Sequence, residues 1–218
     1  VKLLCCNEST ATGNTVTTSI VPGGDPTASS DSDINVFASG KVGFDGSDDY
    51  LSLANSTDFD FGSGDFTIEF WLYPNSNSGI TGIVGKRTSG GAANTNFVIY
   101  QNGLGMKLWF SDGSNYFINE MTTSNSLNHQ DWNHVAVVRN GTSFKVYMNG
   151  TQVGSTTSSS TIASASRPLY IGCDHPGNVH LNGFLSNLRI VKGQALYTSN
   201  FTPSTSTLTT TSQGATAS

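Results

Sequence analysis

The sequence predicts an all-β protein, on the basis of its composition, its alternating hydrophobic runs and the spacing of its turns. Of 218 residues, 100 are Ser, Thr, Asn or Gly, and only 11% are charged, against about a quarter in an average globular protein. Good helix formers are scarce, whereas Thr, Val, Tyr, Phe and Trp occur in short alternating runs that suit strands. With 12 Phe, 7 Tyr and 3 Trp, the chain can bury a sizeable core.

Strand signals extend along most of the chain. The first lie in Val1–Cys6 and Thr15–Val21, before a long polar loop at residues 22–40. From residue 41 they recur about every 8 to 12 residues, a spacing typical of a sandwich or a barrel. The strands predicted there are Val42–Phe44, Tyr50–Leu53, Phe66–Tyr73, Ile80–Lys86, Phe97–Gln101, Met106–Phe110, Tyr116–Met121, His134–Arg139, Phe144–Met148, Thr151–Ser155, Leu169–Ile171 and Phe184–Val191.

Two Asn-Gly pairs indicate the direction of part of the sheet. Asn140-Gly141 and Asn149-Gly150 separate three strand-like runs, and Asn-Gly supplies the two positive-φ positions of a tight hairpin. Two successive hairpins form an antiparallel meander. Beyond residue 201 the chain is mostly Ser, Thr, Ala and Pro. We therefore predict one domain at residues 1–201 and a linker or tail at residues 202–218.

Alternation within the run Phe66–Tyr73 assigns its two faces. The even-numbered residues are all large and apolar and are predicted to face the core, whereas Thr67, Glu69, Trp71 and Tyr73 share the other face. That second face has two interpretations. It is either a partly covered surface that binds a ligand, or a surface under a loop, with Glu69 paired to a Lys or Arg.

Charge and hydropathy argue against two classes of partner. The formal net charge is -5, and Lys and Arg do not cluster, so a nucleic-acid groove is disfavoured. No apolar run approaches the roughly 20 residues that cross a bilayer, so membrane insertion is not expected. Cys5, Cys6 and Cys173 suggest no disulfide framework and are predicted to be buried, reduced thiols.

Five motifs, in order, resemble the concanavalin A-like lectin/glucanase superfamily, in its laminin-G-like branch. The resemblance covers residues 41–192 and implies a two-sheet antiparallel jelly-roll sandwich. The motifs are Phe44-Asp45-Gly46-Ser47-Asp48-Asp49-Tyr50-Leu51, Gly64-Asp65-Phe66-Thr67-Ile68-Glu69-Phe70-Trp71-Leu72-Tyr73-Pro74, Trp132-Asn133-His134-Val135-Ala136-Val137-Val138-Arg139, Val146-Tyr147-Met148-Asn149-Gly150, and Tyr170-Ile171-Gly172 with Asn182-Gly183-Phe184-Leu185-Ser186-Asn187-Leu188-Arg189-Ile190.

The two ends carry a narrower resemblance. Val1–Cys6, with a closing element at Arg189–Pro203, is similar to modules in virion proteins of tailed phages, notably marine cyanobacterial ones. This resemblance implies a place on the virion surface. If the closing strand pairs with the opening one, both ends join the sheet, and the module can be strung within a longer fibre.

Enzymatic activity is not expected. Glycoside hydrolysis usually needs two carboxyl groups about 5 to 9.5 Å apart, but the chain has three Glu residues and lacks the paired-Glu strand motif of the superfamily's glucanases. Asp65 and Glu69 share one face of a strand, but four residues separate them by roughly 13 Å.

Calcium is the candidate cofactor, because laminin-G-like relatives often bind it. Asp45, Asp48 and Asp49 cluster in one turn, and carboxylate oxygens in a tight loop suit this ion. Ser186 stands where many relatives carry Asp, which weakens the inference. The alternative is a turn stabilised by hydrogen bonds from side chain to backbone. Cys173, Asp174, His175 and His180 match no established zinc spacing.

Aromatic rings with short amides and hydroxyls remain as the recognition chemistry, and these groups suit sugars. We predict a non-catalytic module of a phage virion appendage or decoration, part of a homo-oligomer or larger assembly, that contacts cell-surface glycan or a neighbouring virion protein. The alternatives are a purely architectural virion protein and a secreted or cell-surface bacterial adhesin module. The candidate glycan-binding residues are Glu69, Trp71, Tyr73, Asn96, Tyr100, Trp109 and Tyr116.

Overall fold

The computed structural model describes residues 3–6, 19–29, 40–123 and 127–208. Within these ranges the chain forms strands and two single 3-10 turns, Thr57–Phe59 and Ala92–Asn94. The strands are β1 (Leu3–Cys5), β2 (Ile20–Gly23), β3 (Thr27–Ser29), β4 (Lys41–Asp45), β5 (Tyr50–Leu53), β6 (Phe66–Pro74), β7 (Ile80–Arg87), β8 (Thr95–Asn102), β9 (Gly105–Ser111), β10 (Tyr116–Thr122), β11 (Asn133–Asn140), β12 (Ser143–Met148), β13 (Thr151–Thr157), β14 (Leu169–Ile171) and β15 (Asn182–Lys192).

Two antiparallel sheets make up the sandwich, as the sequence predicts. The first sheet has the order β13-β12-β11-β6-β15-β4-β3, with β1 also paired to β15. The second has the order β10-β9-β8-β7-β14-β5-β2. The predicted two-sheet jelly roll is therefore confirmed. None of the helices in the described ranges has the length and apolar character that crossing a lipid bilayer requires.

The core lies between the sheets and follows the predicted alternation of β6. Phe66, Ile68, Phe70 and Leu72 are all fully buried. Around Phe66 the rings form a continuous cluster, with Phe61 stacked on it at 4.4 Å between centroids and further contacts to Phe110 and Phe144. Such rings contribute a large share of the buried apolar area, which explains how a polar chain sustains a core.

The meander β11–β12–β13 is confirmed, but one of its turns differs from the prediction. Asn149 and Gly150 both have positive φ, 49° and 79°, as a tight Asn-Gly turn requires. At the other turn Asn140 pairs with Ser143, so Gly141 is the first loop residue and has φ 58°. Glycine at the first loop position is typical of a type II′ turn. The sequence predicted Asn140-Gly141 as the two loop residues, which is one residue before the observed loop.

The two ends of the described chain meet at β15. Leu3 pairs with Ile190 and Cys5 with Leu188, so the closing strand does pair with the opening one. The predicted strand at Thr15–Val21 begins at Ile20, its residues 15–18 lying outside the described ranges. Within the predicted loop 22–40, Thr27–Ser29 forms a short edge strand on β4.

The chain past residue 192 crosses the outer face of the first sheet. We call residues 194–203 the C-terminal strap. Its Tyr197 and Phe201 rings stack at 3.6 Å and pack on Tyr147 with Ala136 and Val138. Beyond the strap, the Leu208 N–H donates to Asn187 Oδ1 at 3.0 Å. The start of the segment predicted as a tail is therefore attached to the domain.

Candidate functional site

The outer face of the second sheet carries a pocket of about 310 Å³. Alternation explains the face: Phe97, Ile99, Leu108 and Phe110 enter the core, so Tyr100 and Trp109 point outward. We call this site the aromatic pocket. Its lining residues are Ile80, Arg87, Tyr100, Trp109, Tyr116, Glu120, Asp174, Asn178 and Val179.

A buried carboxylate, Asp174, forms the base of the pocket. Tyr100 Oη donates to Asp174 Oδ2 at 2.6 Å, and Arg87 Nη1 lies 3.1 Å from the same oxygen. Asn178 Nδ2 donates to both carboxylate oxygens. Burial and the hydrogen bond to Asp174 raise the pKa of Tyr100 above its ordinary value, so the phenol keeps its proton and remains a donor.

A glycine lets the Asp174 loop reach the sheet. Gly82 lies on β7 directly beneath the loop, and a Cβ at this position would lie 2.3 Å from the Asp174 nitrogen. No other residue allows this close approach of two backbones. The loop that follows β14 can therefore form one wall of the pocket.

Two half-buried rings form the other wall. Trp109 meets Tyr100 edge to face, with ring centroids 4.8 Å apart, and its Nε1–H donates to Asn119 Oδ1 at 2.9 Å. Tyr116 Oη lies 3.1 Å from Thr95 Oγ1. These contacts hold both rings in place, and both rings remain partly exposed.

Glu120 lies at the mouth of the pocket on an irregular part of β10. Register shifts interrupt the pairing of β10 with β9 between Tyr116 and Met121, and Glu120 has φ 58°. A non-glycine residue rarely adopts this conformation. The Glu120 side chain is 52% exposed and its Oε2 lies 3.0 Å from Lys107 Nζ.

The seven residues predicted to bind glycan do not converge on one site. Tyr100, Trp109 and Tyr116 line the aromatic pocket. Asn96 is buried, where it accepts from Arg167 Nη1 at 2.6 Å and donates to the Ala165 carbonyl.

Glu69, Trp71 and Tyr73 lie on the first sheet and face the opposite side of the sandwich. Tyr73 is half-buried against Trp132 and Phe184. The seven predicted residues therefore lie on two different surfaces, except Asn96, whose amide is buried.

The C-terminal strap covers the face that carries Glu69. Glu69 is 1% exposed and Trp71 is 7% exposed. Glu69 accepts hydrogen bonds from Arg189 Nε and Tyr197 Oη, both at 2.7 Å, and lies 3.2 Å from His134 Nε2. This arrangement matches the second interpretation from the sequence, a covered surface with the glutamate paired. A ligand cannot reach Glu69 while the strap is in place.

Ionic contacts keep the Glu69 carboxylate charged. Burial alone would raise its pKa, but the hydrogen bond and charge of His134, the charge of Arg189 and the hydrogen bond from Tyr197 outweigh burial, so the pKa of Glu69 is lowered. The geometry is that of a structural ion pair that holds the strap to β6 and β15.

Three exposed carboxylates meet at one rim of the sandwich. Asp25, Asp45 and Asp48 each offer an oxygen within 4.8 Å of the others. We call them the acidic cluster. Asp49, which the sequence placed in this group, is instead 3% exposed and accepts the backbone N–H groups of Asp25 and Asp45 at 2.7 and 3.0 Å.

The acidic cluster offers a donor set that suits a hard cation such as calcium. Asp45 also accepts the Ser47 N–H at 2.7 Å, the turn contact of the alternative interpretation. Ser186 donates to the Gly40 carbonyl at 2.9 Å, so its hydroxyl is used structurally. The sequence did not predict Asp25 as a member of this cluster, because Asp25 comes from a separate segment between β2 and β3.

No curated protein matches the sequence, but solved structures share its fold. The binding domain of botulinum neurotoxin serotype G is 13% identical with a TM-score of 0.60, covering 83% of this chain and 44% of its own. The chain therefore spans less than half of that domain.

Domain 4 of a GH43 extracellular arabinanase from Geobacillus stearothermophilus, solved with arabinotriose, is 17% identical with a TM-score of 0.58. The alignment covers 88% of this chain and 82% of that one. A botulinum neurotoxin type C structure, described by its interaction with two ganglioside molecules, is 13% identical with a TM-score of 0.64, covering 90% and 48%. At these identities the likeness concerns the fold alone.

A family model described as the concanavalin A-like lectin/glucanases superfamily, of laminin G type, matches residues 45–197. This match includes most of the described strands and the loop that carries Asp174. It agrees with the two stacked antiparallel sheets and with the motifs recognised in the sequence. The chain therefore belongs to the laminin G type of the concanavalin A-like lectin/glucanases superfamily.

Proposed function

We propose that this chain is a non-catalytic glycan-binding module and that the aromatic pocket is its binding site. One observation supports this most strongly: the half-buried rings of Trp109 and Tyr116 stand beside the exposed polar side chains of Asn178 and Glu120 in one concave site. Sugar rings pack their C–H faces on such aromatic surfaces, and their hydroxyls hydrogen-bond to the polar groups.

The size of the pocket suits a short glycan unit. Its volume of about 310 Å³ lies at the lower end of ligand sites, which start at about 300 Å³. The solved relatives named above with arabinotriose and gangliosides have the same fold. Because one fold supports many functions, the pocket's own residues remain the main support.

The two carboxylates of the pocket argue against hydrolysis. Asp174 is fully buried, accepts hydrogen bonds from Tyr100 and Asn178, and is paired with Arg87. A carboxylate enclosed in this way has no exposed surface and cannot contact a scissile bond. Glu120 alone cannot supply both roles of a glycosidase.

For the biological setting, we propose the exterior of a tailed-phage particle, in an appendage or decoration. The resemblance of both chain ends to virion modules motivates this proposal, and the pairing of β1 with β15 suits a module strung within a fibre. The alternatives are an architectural virion protein without a ligand and a secreted or cell-surface bacterial adhesin module. A subunit interface above about 1,000 Å², together with no glycan signal, would favour the architectural protein.

Binding to a glycan array by the wild type and by Trp109→Ala tests the proposal. Removal of a stacking indole should lower affinity by about tenfold or more, the effect of an energetically dominant contact residue. Tyr73→Ala is the matched control, because Tyr73 is also a half-buried aromatic but lies on the other sheet. Equal loss in both variants, or no glycan signal from the folded wild type, would refute the proposal.

We further propose that the acidic cluster binds calcium. The convergence of Asp25 with Asp45 and Asp48 from separate segments supports this proposal beyond the sequence pattern. The ion would link the β2–β3 connection to the turn after β4. It would supply structural order at the rim and no chemistry.

A further inference from the structure

The charged groups of the aromatic pocket form two ion pairs. Arg87 lies beside Asp174, and Lys107 lies beside Glu120. Both cations are therefore already paired with a carboxylate. We infer that the pocket selects glycan units without anionic groups and that Glu120 sets this preference; the inference rests on the proposed function.

The Arg87 guanidinium is not free to receive an acidic sugar. Its Nη1 donates to Tyr100 Oη at 2.6 Å and lies 3.1 Å from Asp174, its Nη2 donates to the Gly90 carbonyl at 2.7 Å, and its Nε donates to the Thr88 carbonyl. The side chain is 12% exposed. A carboxylate or sulfate is best bound by two parallel guanidinium N–H groups, and Arg87 has no such pair left to offer.

Asp174 adds a fixed negative charge behind the rings. It is fully buried, so its charge is screened less than that of a surface group. Arg87 compensates this charge but does not reverse it. The floor of the pocket therefore offers an anion neither a free cation nor a net positive potential.

Glu120 places a second negative charge at the entrance. Its unusual backbone conformation at φ 58° lies where β10 departs from regular pairing, and such irregularities often redirect a side chain at a functional site. The pair with Lys107 is exposed, and exposed pairs contribute little. The carboxylate thus remains able to accept hydrogen bonds from sugar hydroxyls and to repel an acidic sugar.

Neutral and acidic glycans therefore interact differently with the pocket. A neutral pyranose or furanose can stack on Trp109 and donate hydroxyls to Glu120. A sialylated, uronate or sulfated unit in the same place meets two carboxylates and must separate an existing ion pair to gain a cation. We expect at least about a tenfold preference for neutral units, which corresponds to about 1.4 kcal/mol.

The test compares the wild type with Glu120→Lys on immobilised neutral, sialylated, uronate-containing and sulfated glycans at one ionic strength. Glu120→Lys should shift the ratio of acidic to neutral binding towards acidic glycans by about tenfold or more. Asp131→Lys makes the same charge change at an exposed residue before β11, on the other sheet, and should leave the ratio unchanged.

The outcomes separate this inference from the proposed function. Acidic glycans that bind the wild type as well as neutral ones, with binding lost in Trp109→Ala, would overturn the inference and leave the binding function intact. The same shift in Asp131→Lys as in Glu120→Lys, or no shift in either, would remove the role of Glu120. Absence of all glycan binding would refute the proposed function itself.

Discussion

Two glutamates in similar sequence contexts play different parts because their surroundings differ. Glu69 and Glu120 each lie within a strand, and both are the kind of acid that suggests a binding role. Glu69 is enclosed by Arg189, His134 and Tyr197, whereas Glu120 is half exposed. The first therefore contributes to stability, and the second is the glutamate that we propose for recognition.

Glu69 should make the stability of the domain depend on acid pH. Its pKa is lowered in the folded protein, below its ordinary value of 4.5. The unfolded chain therefore binds its proton first, and the stabilisation is present above pH 4.5 and lost as the pH falls through the folded pKa. Glu69→Gln should lower the free energy of unfolding by about 3 kcal/mol at pH 7. The variant should also lack the part of the pH dependence that Glu69 causes.

Urea denaturation from pH 7 to pH 3 measures this contribution. Glu120→Gln is the control, because an exposed side chain should change the free energy of unfolding by no more than about 0.5 kcal/mol. An acid dependence in Glu69→Gln equal to that of the wild type would show that other groups cause it.

At the scale of elements, local sequence patterns could not predict the contacts made by the strap and by the rim loops. Alternation in β6 predicted its core face correctly, because that signal lies within one strand. Arg189, which pairs with Glu69, lies on β15, and Tyr197 lies on the strap that follows β15. Asp25 lies in a segment about 20 residues before Asp45. Such contacts form only when distant segments pack. The sequence therefore could not decide whether the Glu69 face is covered, or which carboxylates form the acidic cluster.

Gly150 should be essential for docking of the strap. A Cβ at this position would lie 1.7 Å from the Phe201 carbonyl oxygen, and the residue has φ 79°. Gly150→Ala should therefore displace the strap and destabilise the domain by about 3 kcal/mol or more. Gly141→Ala has the same kind of φ, 58°, but no atom within 4 Å, so it should cost only about 1 to 2 kcal/mol.

Denaturant unfolding of both glycine variants, with proteolysis of the strap as a second readout, distinguishes these effects. Equal losses in the two variants would mean that backbone strain alone matters and that the strap contributes nothing.

The acidic cluster should respond to calcium. Binding to the folded state alone stabilises it, by about 2.7 kcal/mol when the ion is at 100 times its Kd, so the melting temperature should rise with calcium and fall with chelator. Asp25→Asn should weaken this response. Asp112→Asn removes an exposed carboxylate from another turn, and this variant should keep the full response to calcium. No shift between calcium and chelator in the wild type would contradict the proposal.

At the scale of the whole molecule, the two outer faces of the sandwich differ in what covers them. The strap closes the face of the first sheet, and the aromatic pocket opens on the second. The sequence predicted the sheets, and it predicted Tyr100, Trp109 and Tyr116 as glycan contacts because aromatic side chains suit sugars. It did not predict Arg87, Asp174 or Asn178 as their neighbours, because Arg87 comes from β7, and Asp174 and Asn178 come from the loop that packs against Gly82.

The arrangement of the chain also suits display in many copies. Asn187 joins both ends of the described chain, since its N–H donates to the Cys6 carbonyl and its Oδ1 accepts from Leu208. Modules held in this way can be repeated along a fibre or around an oligomer. A weak single site would then gain avidity from multivalent attachment, which fits our proposal of a homo-oligomeric or larger virion assembly.

The indole N–H signals of the three tryptophans offer the most direct test of glycan binding at the aromatic pocket. Trp109 lines the pocket, whereas Trp71 and Trp132 are buried on the other side of the sandwich. In a ¹⁵N-labelled sample titrated with a neutral glycan that the protein binds on the array, we expect the Trp109 signal to shift with saturation and the other two to remain. Shifts at Trp71 or Trp132 with an unchanged Trp109 signal would contradict this location of the site.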